Sequence, residues 1–367
     1  MNELNALITL NSMPLLGSVK IQLLLQVFGS AVDALNASPE DLRKLPGFGS
    51  KIISQWNPEE ATQTAELDQN LAHRFDAQII PFTDKRYPKR LLNIPDFPIL
   101  LYVKGDMTPS DHQSIAIIGT RSATHYGLEM AHKFGLELAH QGFTIISGLA
   151  RGIDTAAHEG ARKKGRTIAV LGSGLCNIYP SENKNLASVI AENGAVISEF
   201  PMNTPPDRQR FPQRNRIVSG MSSGILLIEA PVKSGAMITM RMGLAQGRNL
   251  YALSGRADIP NFEGNHTLIK SQQAKFVSKP EDIKEDFKGW LPTIKKNLEI
   301  KPAPPKLERE EEELLKIFPQ DEIGIDHLAS LANLPIQKLN VLIMSLILKK
   351  QVKEYPGRIY KKAHVAH

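Results

Sequence analysis

An arginine-rich segment is the part of this sequence whose residue types most clearly suggest a chemical role. Residues 204–216, TPPDRQRFPQRNR, contain four arginines, one carboxylate and one phenylalanine. Guanidinium groups bind phosphates through paired hydrogen bonds, and a phenylalanine face can stack on an unpaired base. A duplex exposes its phosphates but hides its base faces, so this combination predicts contact with single-stranded nucleic acid. The alternative is a solvated basic loop in which Phe211 packs against the following helix.

Four short turns rich in small residues give a second signal. Each follows a predicted buried strand, directly or closely, and open α/β sheets bind ligands at the carboxyl ends of their strands. Glycine and serine leave backbone N–H groups accessible near a helix start, which suits phosphate groups. We therefore predict an anion pocket formed by Gly119-Thr120-Arg121-Ser122, Ser147-Gly148, Gly172-Ser173-Gly174 and Lys233-Ser234-Gly235.

Residue sets typical of catalysis or metal binding are sparse. His158 and Glu159 follow Asp154 on a predicted helix, but no second histidine has the spacing of a metal ligand. The serines of the turns have no assignable histidine and aspartate partners. Glu199 and Glu229 end two predicted strands, where they either face the pocket as acids or cap and pair with neighbours. We therefore expect a binding protein with no catalytic residues, no metal and no cofactor.

Composition narrows the class of protein. The chain has 367 residues, 42% hydrophobic and 22% charged, which suits a folded protein of two to three domains. Its net charge of +6 permits a nucleic-acid partner. A single cysteine cannot form an internal disulfide and fits a reducing compartment. Apolar runs stay below the roughly 18 residues of a membrane span. We expect a cytoplasmic protein without a signal peptide or a membrane contact.

Alternating strands and helices must position the turns. Continuously apolar runs predict buried strands at 114–118, 143–146, 167–171, 195–198, 224–228 and 249–253. Helical patterns lie between them at 126–140, 153–164, 183–192 and 237–246. Strands that are apolar throughout indicate a parallel sheet with helices on both faces. The sequence therefore predicts a Rossmann-like, doubly wound α/β domain over residues 71–288.

Smaller units are predicted on both sides of this domain. Residues 1–70 read as short helices, and the sequence LPGFG at 45–49 fits either a helix-hairpin-helix turn or a tight turn in a helical bundle. Residues 289–305 are proline-rich and predict an extended linker. Residues 306–367 predict three helices and a basic hairpin, the pattern of a winged helix that contacts either DNA or protein.

Taken in order, these motifs resemble the DNA-processing protein A (DprA/Smf) family. The resemblance runs from about Tyr87-Pro88 to Val277. The matching segments are 117–121 (IIGTR), 147–154 (SGLARGID), 171–175 (LGSGL), 179–180 (YP), 197–200 (ISEF), 211–217 (FPQRNRI), 229–230 (EA), 233–235 (KSG) and Thr239.

The resemblance implies a fold and a function. The fold is an extended Rossmann domain, often preceded by a sterile-alpha-motif or helix-hairpin-helix-like domain and followed by a winged helix. The function is a non-enzymatic recombination mediator that binds single-stranded DNA, also when single-strand binding protein covers it, and helps to load RecA, as in natural transformation. Proteins of this kind work as homodimers.

The resemblance also implies particular site residues. Arg121 and Phe211 would form the centre of a DNA pocket, and Arg208 stands where the family often has a lysine, which replaces a point charge by a fork. A dimer contact would lie in 264–277, with His266 and Phe276. The other expected DNA-binding residues are Arg214, Asn215, Lys233, Gly119, Gly148, Gly172, Gly174, Ser234 and Gly235.

Two other functions stay open. A Rossmann-type enzyme that binds or hydrolyses nucleotides would use the same phosphate turns, although the Pro-Gly-Gly-x-Gly-Thr turn of phosphoribohydrolases is absent from the sequence. A transcription regulator would use the winged helix, and it predicts duplex sequence specificity that survives the loss of Arg121.

Overall fold

The computed structural model describes residues 1–288, 307–319, 321–355 and 357–363, so the predicted linker at 289–305 lies outside the described residues. The chain divides into two compact units, Met1–Ile294 and Lys295–His367. The helices before residue 70 and the sheet after it belong to the same unit. The domain boundaries expected from the sequence stay predictions.

A nine-stranded sheet organises the first unit. Its order is β1-β2-β6-β5-β4-β3-β7-β8-β9, and all neighbours from β6 to β9 are parallel. The strands are β1 Ala77–Pro81, β2 Leu100–Gly105, β3 Ser114–Ile118, β4 Thr144–Ser147, β5 Thr167–Val170, β6 Ala195–Ser198, β7 Gly224–Leu227, β8 Asn249–Leu253 and β9 Lys275–Val277.

Burial of both sheet faces explains the continuously apolar strands. On β3, Ile115 and Ile117 join a cluster on one face, whereas Ala116 and Ile118 join the cluster on the other. Successive side chains of a strand point to opposite faces, so a strand covered on both sides needs no polar alternation. The predicted doubly wound α/β class is confirmed.

One edge of the sheet departs from the predicted parallel arrangement. Strands β1 and β2 pair antiparallel, and β2 also runs antiparallel to β6. The loop between β1 and β2 holds only a short 3₁₀ turn, Lys89–Asn93, and antiparallel neighbours need no crossover helix. The short edge strand β9 was not predicted either.

Helices cover the two faces. The helix predicted at 153–164 ends at Ala161, and those predicted at 126–140, 183–192 and 237–246 begin or end within two residues of their expected limits. The helices that follow the sheet strands are α7 His125–His140, α8 Ile153–Ala161, α9 Lys184–Asn193, α10 Arg210–Met221, α11 Gly235–Ala245, α12 Glu263–Lys270 and α13 Pro280–Lys284.

Six N-terminal helices precede the sheet and pack on its antiparallel edge. Their core includes Ile8, Leu24 and Phe48 and continues into Leu100 of β2. Phe48 is buried at the turn that the sequence left as two alternatives, and Gly47 there has φ +81°. The helices are α1 Glu3–Ser12, α2 Ser18–Phe28, α3 Ala31–Leu35, α4 Pro39–Arg43, α5 Ser50–Ile53 and α6 Pro58–Arg74.

The second unit contains helices and a small antiparallel sheet. The sheet has the order β10-β12-β11. No single helix in the described ranges is long and apolar enough to cross a membrane; the helices Ile325–Ala332 and Ile336–Leu348 reach that length and hydropathy only together, and they are bent by 105°. The elements are α14 Arg309–Ile317, β10 Ile323–Gly324, α15 Ile325–Ala332, α16 Ile336–Leu348, β11 Val352–Tyr355 and β12 Ile359–Lys362.

Candidate nucleic-acid interface

A cavity of about 700 Å³ opens at the carboxyl ends of the parallel strands. From the central β3 the chain builds β4, β5 and β6 on one side and β7, β8 and β9 on the other, so the winding direction changes between β3 and β7. Open α/β sheets bind ligands at such a switch point. Residues 119–121 after β3 and 233–235 after β7 line the cavity, as predicted.

An aromatic pair and an arginine form one wall. The rings of Phe211 and Tyr179 have centroids 5.6 Å apart at 46°, and the guanidinium carbon of Arg121 lies 5.3 Å from the Phe211 centroid. Gly172 lies against this ring, because a Cβ there would be 2.8 Å from the Phe211 Cδ1 atom. Tyr179 is 40% exposed and was not predicted as a site residue, although the sequence places it shortly after the 172–174 turn.

Three exposed cations line the same cavity as the aromatic pair. Arg121, Arg208 and Lys233 line the cavity, and none of them forms an ion pair with another described residue. The carboxylate among the lining residues is Asp154, which is 7% exposed. The wall therefore offers uncompensated positive charge beside aromatic faces, which suits a phosphodiester strand with unpaired bases.

Arg214 differs from the other predicted DNA-binding cations. It is 4% exposed, and its Nη1 donates to the carbonyl oxygens of Gly148, at 2.7 Å, and Val170. Burial lowers the pKa of Arg214 to about 10, against the attraction of Asp154. A guanidinium fixed in this way supports the cavity wall and has little surface for a ligand. Arg214 still belongs to the cavity lining, so its contact with DNA stays a prediction.

Asp154 holds the turn after β4. Its Oδ2 accepts from the backbone N–H groups of Gly148, at 3.1 Å, and Ala150, at 3.3 Å. Burial raises the pKa of this carboxyl, whereas the nearby Arg214 and the hydrogen bonds lower it. Asp154 and Arg214 thus form a buried unit that shapes the turn from beneath.

The four arginines of the 204–216 segment have different partners. Arg210 lies 5.7 Å from the Phe200 centroid and donates to Pro205 O, and Arg216 pairs with Glu199 and Asp96. With Arg214 buried, only Arg208 of the four is an exposed cation of the cavity. The segment is also partly helical, since α10 begins at Arg210 and Phe211 lies in its first turn.

The glycine turns offer fewer free backbone groups than expected. The N–H of Gly148 donates to Asp154, and the N–H of Gly174 donates to Thr204 O at 2.9 Å. Gly174 lies against the 201–202 backbone and Gly172 beneath Phe211, and neither lines the cavity. The prediction that these two glycines bind phosphate is corrected, because tight packing is what requires them.

The remaining predicted residues lie where expected. Gly119 lines the cavity and packs closely against Ile153, and Asn215 lines it with its Nδ2 3.5 Å from Gly235 O. Ser234 caps α11, its Oγ accepting from Met237 N at 3.4 Å.

Neither strand-end glutamate acts as a free acid in the cavity. Glu229 is fully buried and accepts from the backbone N and Oγ1 of Thr124 and from Asn261, which fixes the loop after Arg121. Glu199 is paired with Arg216, and burial raises the pKa of its carboxyl while Arg216 lowers it.

A serine motif that can mark a catalytic nucleophile lies just before β7. Residues 220–224, GMSSG, have the spacing of a nucleophile elbow, but Ser222 is fully buried at the end of a helix and donates to Val218 O at 2.7 Å. The described ranges contain no cluster of three or more His, Cys, Asp or Glu side chains that could hold a metal.

The residues expected at a dimer contact lie at the far edge of the sheet. Phe276 is 51% exposed on the edge strand β9. His266 on α12 is partly buried, with its Nε2 3.1 Å from Gly255 O and its ring stacked on Phe262.

Comparison with known proteins decides the family. The sequence profile described as DNA recombination-mediator protein A matches residues 78–288, which is more than half of the chain. The chain belongs to this family.

Other members of the DNA recombination-mediator protein A family are similar in sequence and structure. Protein Smf of Escherichia coli K12 is 38% identical over 295 residues, 78% of this chain and 79% of that protein. DNA processing protein DprA of Bacillus subtilis 168 is 42% identical over 57% of this chain and 70% of that protein.

Two solved structures of the family match the fold. DNA processing protein A from Streptococcus pneumoniae aligns with a TM-score of 0.64 at 30% identity, covering 77% of this chain and 97% of that one. The structure of the Helicobacter pylori protein is described as giving its single-stranded DNA binding mode. It aligns with a TM-score of 0.53 at 30% identity, covering 59% of this chain and 97% of that one.

Proposed function

We propose that this chain binds single-stranded DNA in the cavity at the switch point. The observation that carries the proposal is a cavity that Phe211 shares with three cations without ion-pair partners among the described residues, Arg121, Arg208 and Lys233. The cations neutralise phosphates, and the ring, with Tyr179 beside it, stacks an unpaired base, a contact worth about 1–3 kcal/mol. A paired base cannot offer its face, which gives the preference for single strands.

The Helicobacter pylori relative supports the same ligand. Its printed description assigns it single-stranded DNA binding, and it shares 30% identity with this chain over the aligned region. The family as a whole is described as recombination mediators. We propose that this chain likewise works in the cytoplasm, loads RecA onto single-stranded DNA that single-strand binding protein covers, and serves natural transformation.

We propose a non-enzymatic role. Asp154, the carboxylate of the cavity lining, and Glu229, just after β7, are buried and hydrogen-bonded within the protein. Incubation with nucleoside monophosphates followed by product chromatography tests this point. Turnover that Arg121→Ala abolishes would favour the nucleotide-hydrolysing alternative.

We propose that the chain acts as a homodimer through the β9 edge. Phe276 is half exposed there, and an edge strand has backbone groups free to pair. Two cavities on one strand would raise the overall affinity through multivalency. Light scattering of the wild type and of Phe276→Arg measures the mass, and a wild type that is monomeric at micromolar concentration contradicts the proposal.

Fluorescence anisotropy with a labelled oligo-dT tests the DNA site. We expect preference for the single strand over a duplex competitor, affinity that falls with salt, and strong weakening by Arg121→Ala. Arg74→Ala is the matched control, since Arg74 is an exposed arginine of α6 outside the cavity. Equal affinity for duplex and single strand, or equal loss in both variants, would move the site to the terminal regions.

RecA loading needs its own assay. We expect the wild type to shorten the lag before RecA hydrolyses ATP on single-stranded DNA coated with single-strand binding protein. With Arg121→Ala, the lag should be as long as the lag measured when RecA acts without this protein. A normal effect of this variant would separate loading from the cavity.

A further inference from the structure

A second cavity, of about 510 Å³, lies next to the residues that precede β3, whereas the first cavity lies beyond the carboxyl end of β3. Its walls come from the loop after β1, from the residues just before β3 and from Met221 at the end of α10. Helix α10 begins beside the first cavity and ends at the second. Its 12 residues span about 18 Å, so one mononucleotide cannot touch both.

The rim of this second cavity is basic. Lys85 and Lys89 are exposed, and neither forms an ion pair in the part of the chain that the structure describes. Asp111, the carboxylate among the lining residues, is already bound by Arg166 at 2.6 and 2.9 Å and by Thr144 at 3.0 Å. The lysines therefore have no acidic counterpart in the cavity.

Arg90 adds a third cation to the lining of this cavity. It is partly buried, its Nε is buried without a hydrogen-bond partner, and its Nη2 reaches only the carbonyl oxygen of His112, at 3.3 Å. Burial lowers the pKa of this guanidinium. Arg248 adds a second positive charge next to it, donating to Arg90 O at 3.5 Å. Arg90 has no carboxylate partner among the described residues, so it adds to the positive charge of the cavity wall, which an anion would neutralise.

The interior of the cavity is apolar. Tyr87 and Met221 are each 2% exposed and line it together with the partly buried Met107. The Tyr87 hydroxyl is satisfied by Pro98 O at 2.6 Å, so the ring offers the cavity an apolar surface. A volume of this size is within the usual range for small-molecule sites, which combine apolar walls with a few polar anchors.

From these features we propose that the second cavity binds a nucleoside monophosphate unit. The phosphate would lie on Lys85, Lys89 and Arg90, and the base would lie against Tyr87, Met107 and Met221. The unit is either a free mononucleotide or one nucleotide of a bound DNA strand, because both present the same phosphate and base. The site is separate from the switch-point cavity and does not depend on the function proposed for it.

Isothermal titration calorimetry with thymidine monophosphate tests the site. The full chain carries Arg121→Ala and Phe211→Ala, which weaken the first cavity. We expect one bound nucleotide per chain, with thymidine alone and inorganic phosphate each binding at least tenfold more weakly. Lys89→Ala and Arg90→Met should each weaken the binding of thymidine monophosphate at least tenfold. Lys316→Ala, an exposed lysine elsewhere, should have no effect.

A second experiment distinguishes the two sources. If the cavity binds one nucleotide of a DNA strand, Lys89→Ala in the otherwise wild-type chain should weaken the binding of a 20-nucleotide oligo-dT but not that of a 6-nucleotide one. If it takes free nucleotide, both oligonucleotides should bind as before while thymidine monophosphate binding is lost. Lys89 is exposed, so this variant keeps its fold, which its thermal unfolding checks. No heat with millimolar thymidine monophosphate, or binding that survives Lys89→Ala, overturns the proposal.

Discussion

Replacing Gly172 by alanine tests whether the turn after β5 positions the Phe211 ring for stacking. The added Cβ would lie 2.8 Å from Phe211 Cδ1, whereas ordinary contacts begin at 3.4 Å. The ring must therefore move by at least about 0.6 Å, away from its place 5.3 Å from the Arg121 guanidinium carbon and 5.6 Å from the Tyr179 ring. A partly buried ring can move more easily than backbone, so the fold should survive.

The size of the effect follows from the stacking contact. Complete loss of a stacked base by Phe211→Ala costs about 1–3 kcal/mol, which is a loss of affinity of about 5- to 150-fold. A displaced ring keeps part of the contact, so Gly172→Ala should weaken oligo-dT binding by about 3- to 10-fold, less than Phe211→Ala does.

Gly174→Ala is the matched control in the same turn. Its Cβ would collide with the carbonyl oxygens of Pro201 and Met202, which are backbone atoms and cannot move aside singly. We therefore expect Gly174→Ala to lower the free energy of unfolding, measured in urea, and Gly172→Ala to leave it within about 1 kcal/mol of the wild type.

A double-mutant cycle decides whether the ring is the mediator. Anisotropy titrations at fixed salt compare the wild type, Gly172→Ala, Phe211→Ala and the double variant. We expect Gly172→Ala to have little effect once Phe211 is alanine. The reasoning is refuted if Gly172→Ala weakens binding equally in both backgrounds, or if it unfolds the protein as Gly174→Ala does.

Three further predictions concern charge. Asp154→Ala should lower the free energy of unfolding in urea by about 1–3 kcal/mol, because it leaves the N–H groups of Gly148 and Ala150 without their acceptor, and an unchanged free energy contradicts this role. Burial lowers the pKa of His158 to about 3, so the stability that its neutral imidazole contributes is complete above about pH 6.5 and is lost as the pH falls toward 3. Between pH 7.5 and 5.5, the free energy of unfolding should therefore fall by about 1.4 kcal/mol more in the wild type than in His158→Gln. Arg208→Ala should reduce the slope of log affinity against log salt by about 0.7, and an unchanged slope would exclude a phosphate contact.

Much of the fold is determined by local sequence pattern. Apolar runs such as 114–118 and 195–198 form strands with the predicted limits, because a strand buried on both faces has a composition that no loop or amphipathic helix shares. The turns of the candidate site could also be predicted from the sequence, because the carboxyl ends of parallel strands must meet at one edge of the sheet. The antiparallel β1 and β2 were missed because strand direction depends on pairing with distant residues.

The partners of the charged side chains were decided by the tertiary structure. In sequence, Arg208, Arg210, Arg214 and Arg216 form one basic run, yet the fold gives Arg210 an aromatic face, Arg214 two carbonyl oxygens and Arg216 two carboxylates. One turn of helix is enough to send neighbouring side chains in different directions, so their partners come from strands and loops far away in the chain.

The glycines show the same division. The sequence located the small-residue turns, but only packing shows that Gly172 makes room for an aromatic ring and that the N–H groups of Gly148 and Gly174 are already used. Tyr179 became part of the site for a similar reason, since its contact with Phe211 joins the loop after β5 to the first turn of α10. Sequence pattern determined where a ligand site would form, and long-range contacts decided which side chains there are free to bind, because hydrogen bonds and burial depend on neighbours that the chain brings together only on folding.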